Sequence, residues 1–172
     1  MKIFKEVASY AAIILVVILI RIFVVTPVRV EGPSMNPNLT DGDILIEKKY
    51  DKSIDRFDIV VIDYKKEKLV KRVIALPGET IRISVTHVGS NYVSKIIVNG
   101  EVLEENYGKE PIHDAGIAAN EVTLGENEYF VLGDNRNDSS DSRFLGVFNK
   151  KAINGVTNFR LFPLKNAGKL NK

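Results

Sequence analysis

The 172-residue chain contains no cysteine. A thiol nucleophile, a disulfide framework and a cysteine metal site are thereby excluded. The absence also fits an exported bacterial protein. Excess charge of one sign is missing too: 24 Lys and Arg face 22 Asp and Glu, a net charge of +2. No basic stripe interleaves with aromatics, so no nucleic-acid partner is expected. Only two histidines occur, His87 and His113, and no His-Glu-x-x-His pattern contains them. No metal and no cofactor are expected. The Gly-x-Ser-x-Gly elbow of many hydrolases is absent, as are internal repeats and low-complexity tracts. What remains is a 45% hydrophobic, 27% charged composition, which marks a globular body able to bury a core.

One long apolar run opens the chain. Val7 to Val25 reads VASYAAIILVVILIRIFVV, with Arg21 as its single charge. Nineteen residues of helix are about 28 Å long, close to the ~30 Å hydrocarbon core of a bilayer. Arg21, one turn from the end, can snorkel to the interface. Lys2 and Lys5 ahead of the run favour an inside N-terminus, although Arg21 and Arg29 weaken the bias. The residues after the run, Ile22-Phe23-Val24-Val25-Thr26-Pro27, lack the small side chains of a signal-peptide cleavage site. The segment is therefore expected to be a retained anchor. The alternative is a buried core helix.

After Pro27 the pattern turns extended. Val28–Val30, Ile44–Glu47, Asp58–Tyr64, Leu69–Leu76, Thr80–Ser84, Tyr92–Val98, Tyr129–Leu132 and Gly155–Phe162 are short runs rich in β-branched and aromatic residues, as strands require. Asp41-Gly42, Pro77-Gly78, Asn99-Gly100 and Gly133-Asp134 punctuate them with turns. Asn99-Gly100 predicts a hairpin. The expected fold is mostly β, an antiparallel barrel-like or sandwich-like domain preceded by one transmembrane helix. The boundaries are a short cytoplasmic N-terminus at 1–6, the helix at 7–25, and an extracytoplasmic β domain at 26–172 with a smaller inserted β region at about 78–128. Residues 105–126 read as a long loop and Asn166–Lys172 as a loose tail.

Three polar segments stand out. Glu31-Gly32-Pro33-Ser34-Met35-Asn36-Pro37 sets a serine between prolines beside a glycine, which by itself is an ordinary turn composition. In Lys68–Glu79, strand alternation puts Lys71 on a face with Leu69, Val73 and Ala75, and Arg72 on the face of Val70 and Ile74. A lysine on an apolar face is desolvated, which lowers its pKa, and a neutral lysine can take a serine proton. A lysine that snorkels to the sheet edge is the plainer reading. Gly133-Asp134-Asn135-Arg136-Asn137-Asp138-Ser139-Ser140-Asp141-Ser142-Arg143 is dense in donors and acceptors. Asp141 with Arg143, or Asp134 with Arg136, could pair bidentately beneath a site, and Ser139, Ser140 or Ser142 could hold a lysine amine. A solvated loop is the alternative, and a triad using His87 or His113 stays open because triads are defined in space.

Taken together and in order, the apolar span, Gly-Pro-Ser34-Met35, Val70-Lys71-Arg72-Val73-Ile74-Ala-Leu-Pro-Gly78 and Gly133-Asp134-Asn135-Arg136 through Arg143 resemble the type I signal peptidases, in particular the single-span bacterial form. The resemblance covers nearly the whole chain. It implies a mostly β catalytic domain with Ser34 as nucleophile and Lys71 as general base. It further implies that Ser139 orients the Lys71 amine, that Asp141 and Arg143 form a structural ion pair, and that Met35 shapes the substrate cleft. The implied partners are signal-peptide-bearing preproteins, cut after Ala-x-Ala-like residues, together with the lipid bilayer and a nearby secretion translocase. Gly32 stands where some relatives carry a hydroxyl that stabilises the oxyanion, which leaves the Ser34 N–H as the one donor implied. Asn38 stands where threonine is common and Leu69 where tyrosine is.

One expectation needs no resemblance. Ser34 lies nine residues past Val25, a reach of at most about 32 Å for an extended chain, so the serine works close to a bilayer surface. Two other readings differ in class. A catalytically inactive membrane-anchored binding relative would have lost Ser34 or Lys71, and both are present. A self-cleaving serine–lysine regulator would carry a DNA-binding domain where the apolar run stands.

Overall fold

The structure, a computed structural model, describes residues 2–23, 25–49, 53–108 and 110–170. Helix α1 (Lys2–Phe23) leads directly into strand β1 (Val25–Arg29). The apolar run therefore does not stay helical to Val25: that residue faces Lys48 in a β ladder, and Val24 lies outside the described residues. On α1 the side chains are described from Glu6 to Val17, and all are exposed; those of Lys2, Lys5 and Arg21 lie outside. Among the described residues no helix is long and apolar enough to cross a membrane.

The body is antiparallel β throughout. Strands β2 (Ile44–Lys48), β3 (Ile59–Tyr64), β4 (Glu67–Ala75), β9 (Glu128–Leu132), β10 (Phe148–Asn149), β11 (Ile153–Phe162) and β12 (Gly168–Lys169) join β1 in an eight-stranded sheet, ordered β1-β2-β11-β3-β4-β9-β10 with β12 beside β11. A second sheet, β7-β6-β5-β8, uses β5 (Thr80–Val88), β6 (Asn91–Val98), β7 (Glu101–Val102) and β8 (Val122–Thr123). Asn99 and Gly100 both take positive φ, 51° and 83°, the backbone that a two-residue hairpin turn needs. The second sheet packs on the first through Ile81, Ile83, Ile96 and Val98 against Ile74, Phe130 and Leu132.

The short strands β8, β10 and β12 have no expectation behind them, because two residues carry no readable alternation. β8 and a 3-10 turn at Gly116–Ala119 lie inside the stretch expected to be loop. The expected loose tail is partly ordered. Gly168 pairs with Arg160 and the Leu170 N–H donates to Asn158, while Asn171 and Lys172 lie outside the described residues.

Candidate active site

Strand β4 brings the central groups together. In its regular ladder with β3, strand alternation sends Lys71 and Arg72 to opposite faces, and both are buried, at 3% and 1% exposure. Lys71 reaches the turn that holds Ser34: its Nζ donates to Ser34 Oγ at 2.7 Å and to the Val70 carbonyl at 3.1 Å. Burial pushes the Lys71 amine down from 10.5 to about 8, and nearby Asp141 and Asp134 hold it from falling further. Leu69 lines the groove beside it and Val73 is fully buried. Ala75 does not share their face. A register shift between Val73 and Ala75 breaks the alternation, and Ala75 packs with Ile74 in the cluster beneath the second sheet.

The groove above the pair encloses about 400 Å³ and is open to solvent. Gly32, Pro33, Ser34 and Lys71 line one part of it, Asn137, Ser139 and Phe144 another. Met35 does not line it. That side chain is fully buried among Leu39, Leu45 and Val70, under the serine turn. Ser139 Oγ is buried and has no hydrogen-bond partner among the described residues, so the expected bond to the Lys71 amine is not formed. The Gly32 N–H is engaged, donating to Asp41 Oδ1 at 2.9 Å.

Two carbonyls of the serine turn are clamped from the Gly133 loop. The Asn135 N–H donates to the Ser34 carbonyl at 3.0 Å, and Asn135 Nδ2 to the Pro33 carbonyl at 3.2 Å. Gly133 permits the approach: a Cβ there would run into Ser139 and into the Ser34 carbonyl. The sequence reading passed over Asn135, whose only signal was its place in a loop crowded with polar residues.

Beneath the loop lie three ion pairs. Arg143 grips Asp141 bidentately, Nε and NH2 each at 2.8 Å, with both side chains almost wholly buried. Asp141 Oδ2 also accepts the Gly133 N–H at 3.0 Å, so the pair holds the loop that holds Ser34. Asp134 and Arg136, weighed as partners of each other, pair elsewhere. Asp134 accepts Nε and NH2 of Arg72 at 2.8 Å and Asn38 Nδ2 at 2.9 Å. Arg136 forks onto Glu105. The reason is strand alternation: Arg72 points away from Lys71, straight at the loop. His87 and His113 lie apart from the groove, each against the Tyr92 ring: His113 is stacked on it at a centroid distance of 4.0 Å and His87 is tilted at 4.3 Å.

Asp141→Asn is expected to cost about 3–5 kcal/mol of stability, because it leaves a buried guanidinium without its counter-charge. Urea denaturation measures this, and a loss under about 1 kcal/mol would mean that the pair is not structural. Removing that negative charge should also move the Lys71 ionisation to lower pH, since Asp141 raises it.

Several known proteins are similar to this chain over nearly its whole length. Residues 3–162 match the family model "Signal peptidase, peptidase S26". "Signal peptidase I P" of Bacillus subtilis subsp. natto is 36% identical, over 98% of this chain and 97% of its own. "Signal peptidase I" of Streptococcus pneumoniae serotype 4 is also 36% identical, over 95% of each. A crystal structure of a signal peptidase I from Enterococcus faecalis V583 is 27% identical, covers 60% of this chain and 96% of that one, and gives a TM-score of 0.44. With a family match over nearly its whole length, and relatives of that identity at almost full coverage, the chain belongs to the signal peptidase I family, the serine endopeptidases of peptidase S26 that process the signal peptides of preproteins.

Proposed function

We propose that the chain is a membrane-anchored serine endopeptidase that removes N-terminal signal peptides from exported preproteins at the outer face of the cytoplasmic membrane, with Ser34 as nucleophile and Lys71 as general base. One observation carries this reading: a buried amine, lowered to about 8 by desolvation, sits 2.7 Å from a serine hydroxyl at an open groove.

The neutral Lys71 amine takes the Ser34 proton as Oγ attacks the scissile carbonyl carbon. The ammonium so formed returns the proton to the departing amine nitrogen, leaving an acyl ester on Ser34. Water then gives a proton to the amine and attacks the ester, and Ser34 leaves with that proton. We assign the stabilisation of the developing oxyanion to the Ser34 N–H; the Gly32 N–H is committed to Asp41. A neutral amine has two N–H bonds. One is used by the Val70 carbonyl, and the unpartnered Ser139 Oγ is the acceptor we assign to the other, which would orient the lone pair on Ser34. Asp141 with Arg143 fixes the loop, and Met35 supports the cleft from below.

Val7, Ile13, Ile14, Leu15, Val16 and Val17 are 53–60% exposed on α1. A helix that shows apolar side chains without covering them is stable in hydrocarbon, so we assign α1 as the anchor, with residues 1–6 cytoplasmic and 26–172 outside, the segment at about 78–128 forming an inserted β region. Substrates would then come from the membrane near the translocase. Incubating the purified chain with a preprotein whose signal peptide ends in Ala-x-Ala should release one mature product, cut after that motif. An intact preprotein, with the fold verified, would leave the inactive binding relative as the better reading.

A further inference from the structure

We propose that the lysine-rich end of the main sheet is a second membrane contact, one that binds anionic lipid headgroups and seats the catalytic groove on the bilayer. The proposal rests on the reading of α1 as an anchor.

The β register fixes which residues share that end. Val25, Lys48, Val156, Val60 and Lys71 face one another in turn across β1, β2, β11, β3 and β4. At ~4.8 Å per strand, Lys71 stands about 19 Å across the sheet from the point where α1 delivers the chain. The base and the membrane entry are on one row. Beyond that row, on the side of α1, come the end of β2, the start of β11 and the β3–β4 turn.

These segments carry Lys48, Lys49, Lys65, Lys66, Lys68 and Lys151, against the carboxylates Asp63 and Glu67. A chain of net charge +2 has thus gathered an excess of four cations at one end, more than its whole net charge. Among the described residues, Lys68 pairs with Asp63 at 3.0 Å, and Lys49 is near enough to help hold the Asp63 carboxyl below its usual range. Lys65 and Lys66 are exposed at the turn and form no ion pair among the described residues. The Lys65 ammonium lies 5.1 Å from the centre of the Tyr64 ring, and a tyrosine beside a lysine is a side-chain pair suited to the headgroup layer. Like charges crowded this way repel one another in water. An anionic bilayer supplies the counter-charge, within a Debye length of the surface.

The absence of cysteine makes the test direct. Glu67→Cys keeps every lysine and puts a unique thiol in the β3–β4 turn; Asn166→Cys puts one past the opposite end of β11. The full chain, labelled at either site with a fluorophore, is reconstituted in phosphatidylcholine vesicles carrying a headgroup quencher, with or without phosphatidylglycerol. Quenching at position 67 should rise several-fold with phosphatidylglycerol, fall back in molar salt, and be lost when Lys49, Lys65, Lys66 and Lys68 are changed to Gln. Position 166 should stay unquenched. Equal quenching at 67 with and without the anionic lipid, or quenching indifferent to the Lys→Gln changes, would overturn the contact while the anchor stands. A chain that floats with neither vesicle would overturn the anchor and this contact together.

Discussion

Ser34→Ala should reduce processing of a preprotein by about 10⁴-fold or more, the loss found when a hydrolase is stripped of its nucleophile. The fold should be unaffected. The Ser34 side chain touches Lys71 at the groove, whereas the turn itself is held through main-chain carbonyls by Asn135 and by the buried Met35 beneath it. Removing one hydroxyl leaves those contacts in place. Circular dichroism and the urea midpoint should match the parent. Near-normal cleavage by a well-folded variant would remove Ser34 from the mechanism.

Lys71→Met should be equally inactive and, unlike most core substitutions, more stable. The sign follows from linkage. The folded-state pKa of about 8 lies below the ordinary 10.5, so in the window between them the unfolded chain binds the extra proton. Stability rises with pH across that window. Below it both states are protonated, and the fold carries a desolvated ammonium at a cost of roughly 3 kcal/mol. Methionine fills similar space without a charge and should recover much of this at neutral pH. Lys71→Arg should be inactive and less stable, since a guanidinium neither deprotonates nor fits the place of an amine. A Lys71→Met variant less stable than its parent at pH 7 would show that the lysine is not held at such a cost.

The sequence was most legible where one physical rule governed each residue. Runs rich in β-branched and aromatic residues located every strand of four or more residues that follows Pro27, and Asn99-Gly100 located its hairpin. Strand alternation offered a desolvated Lys71 beside the plainer reading of a lysine at the sheet edge, and the burial of Lys71 decides for the first. Alternation failed at Ala75, where a bulge inserted one residue, and bulges leave no periodic trace. Spacing offered Asp141–Arg143 and Asp134–Arg136 alike, and the resemblance singled out the first; it forms at the N-terminus of the short helix α2 (Ser142–Leu145), where the Arg143 N–H donates to Asp141. The Arg72–Asp134 pair was not legible. Its members are 62 positions apart, and nothing local in the chain says which loop a strand will face. The same holds for Asn135, whose contacts with Pro33 and Ser34 exist only once the sheet has closed. The role of Ser139 was drawn from resemblance, and its unpartnered hydroxyl marks the one place where the site as described is short of a bond.

The pH dependence of kcat/KM tests the serine–lysine pair most directly. With Lys71 as base, activity rises through a single ionisation near pH 8, where the buried amine gives up its proton, and the limb moves to lower pH in Asp141→Asn. It stays in place in His87→Ala and His113→Ala, since both rings lie against Tyr92, away from the groove. A limb that persists unchanged in the residual activity of Lys71→Met, or that vanishes in either histidine variant, would make a histidine the base and contradict the serine–lysine mechanism.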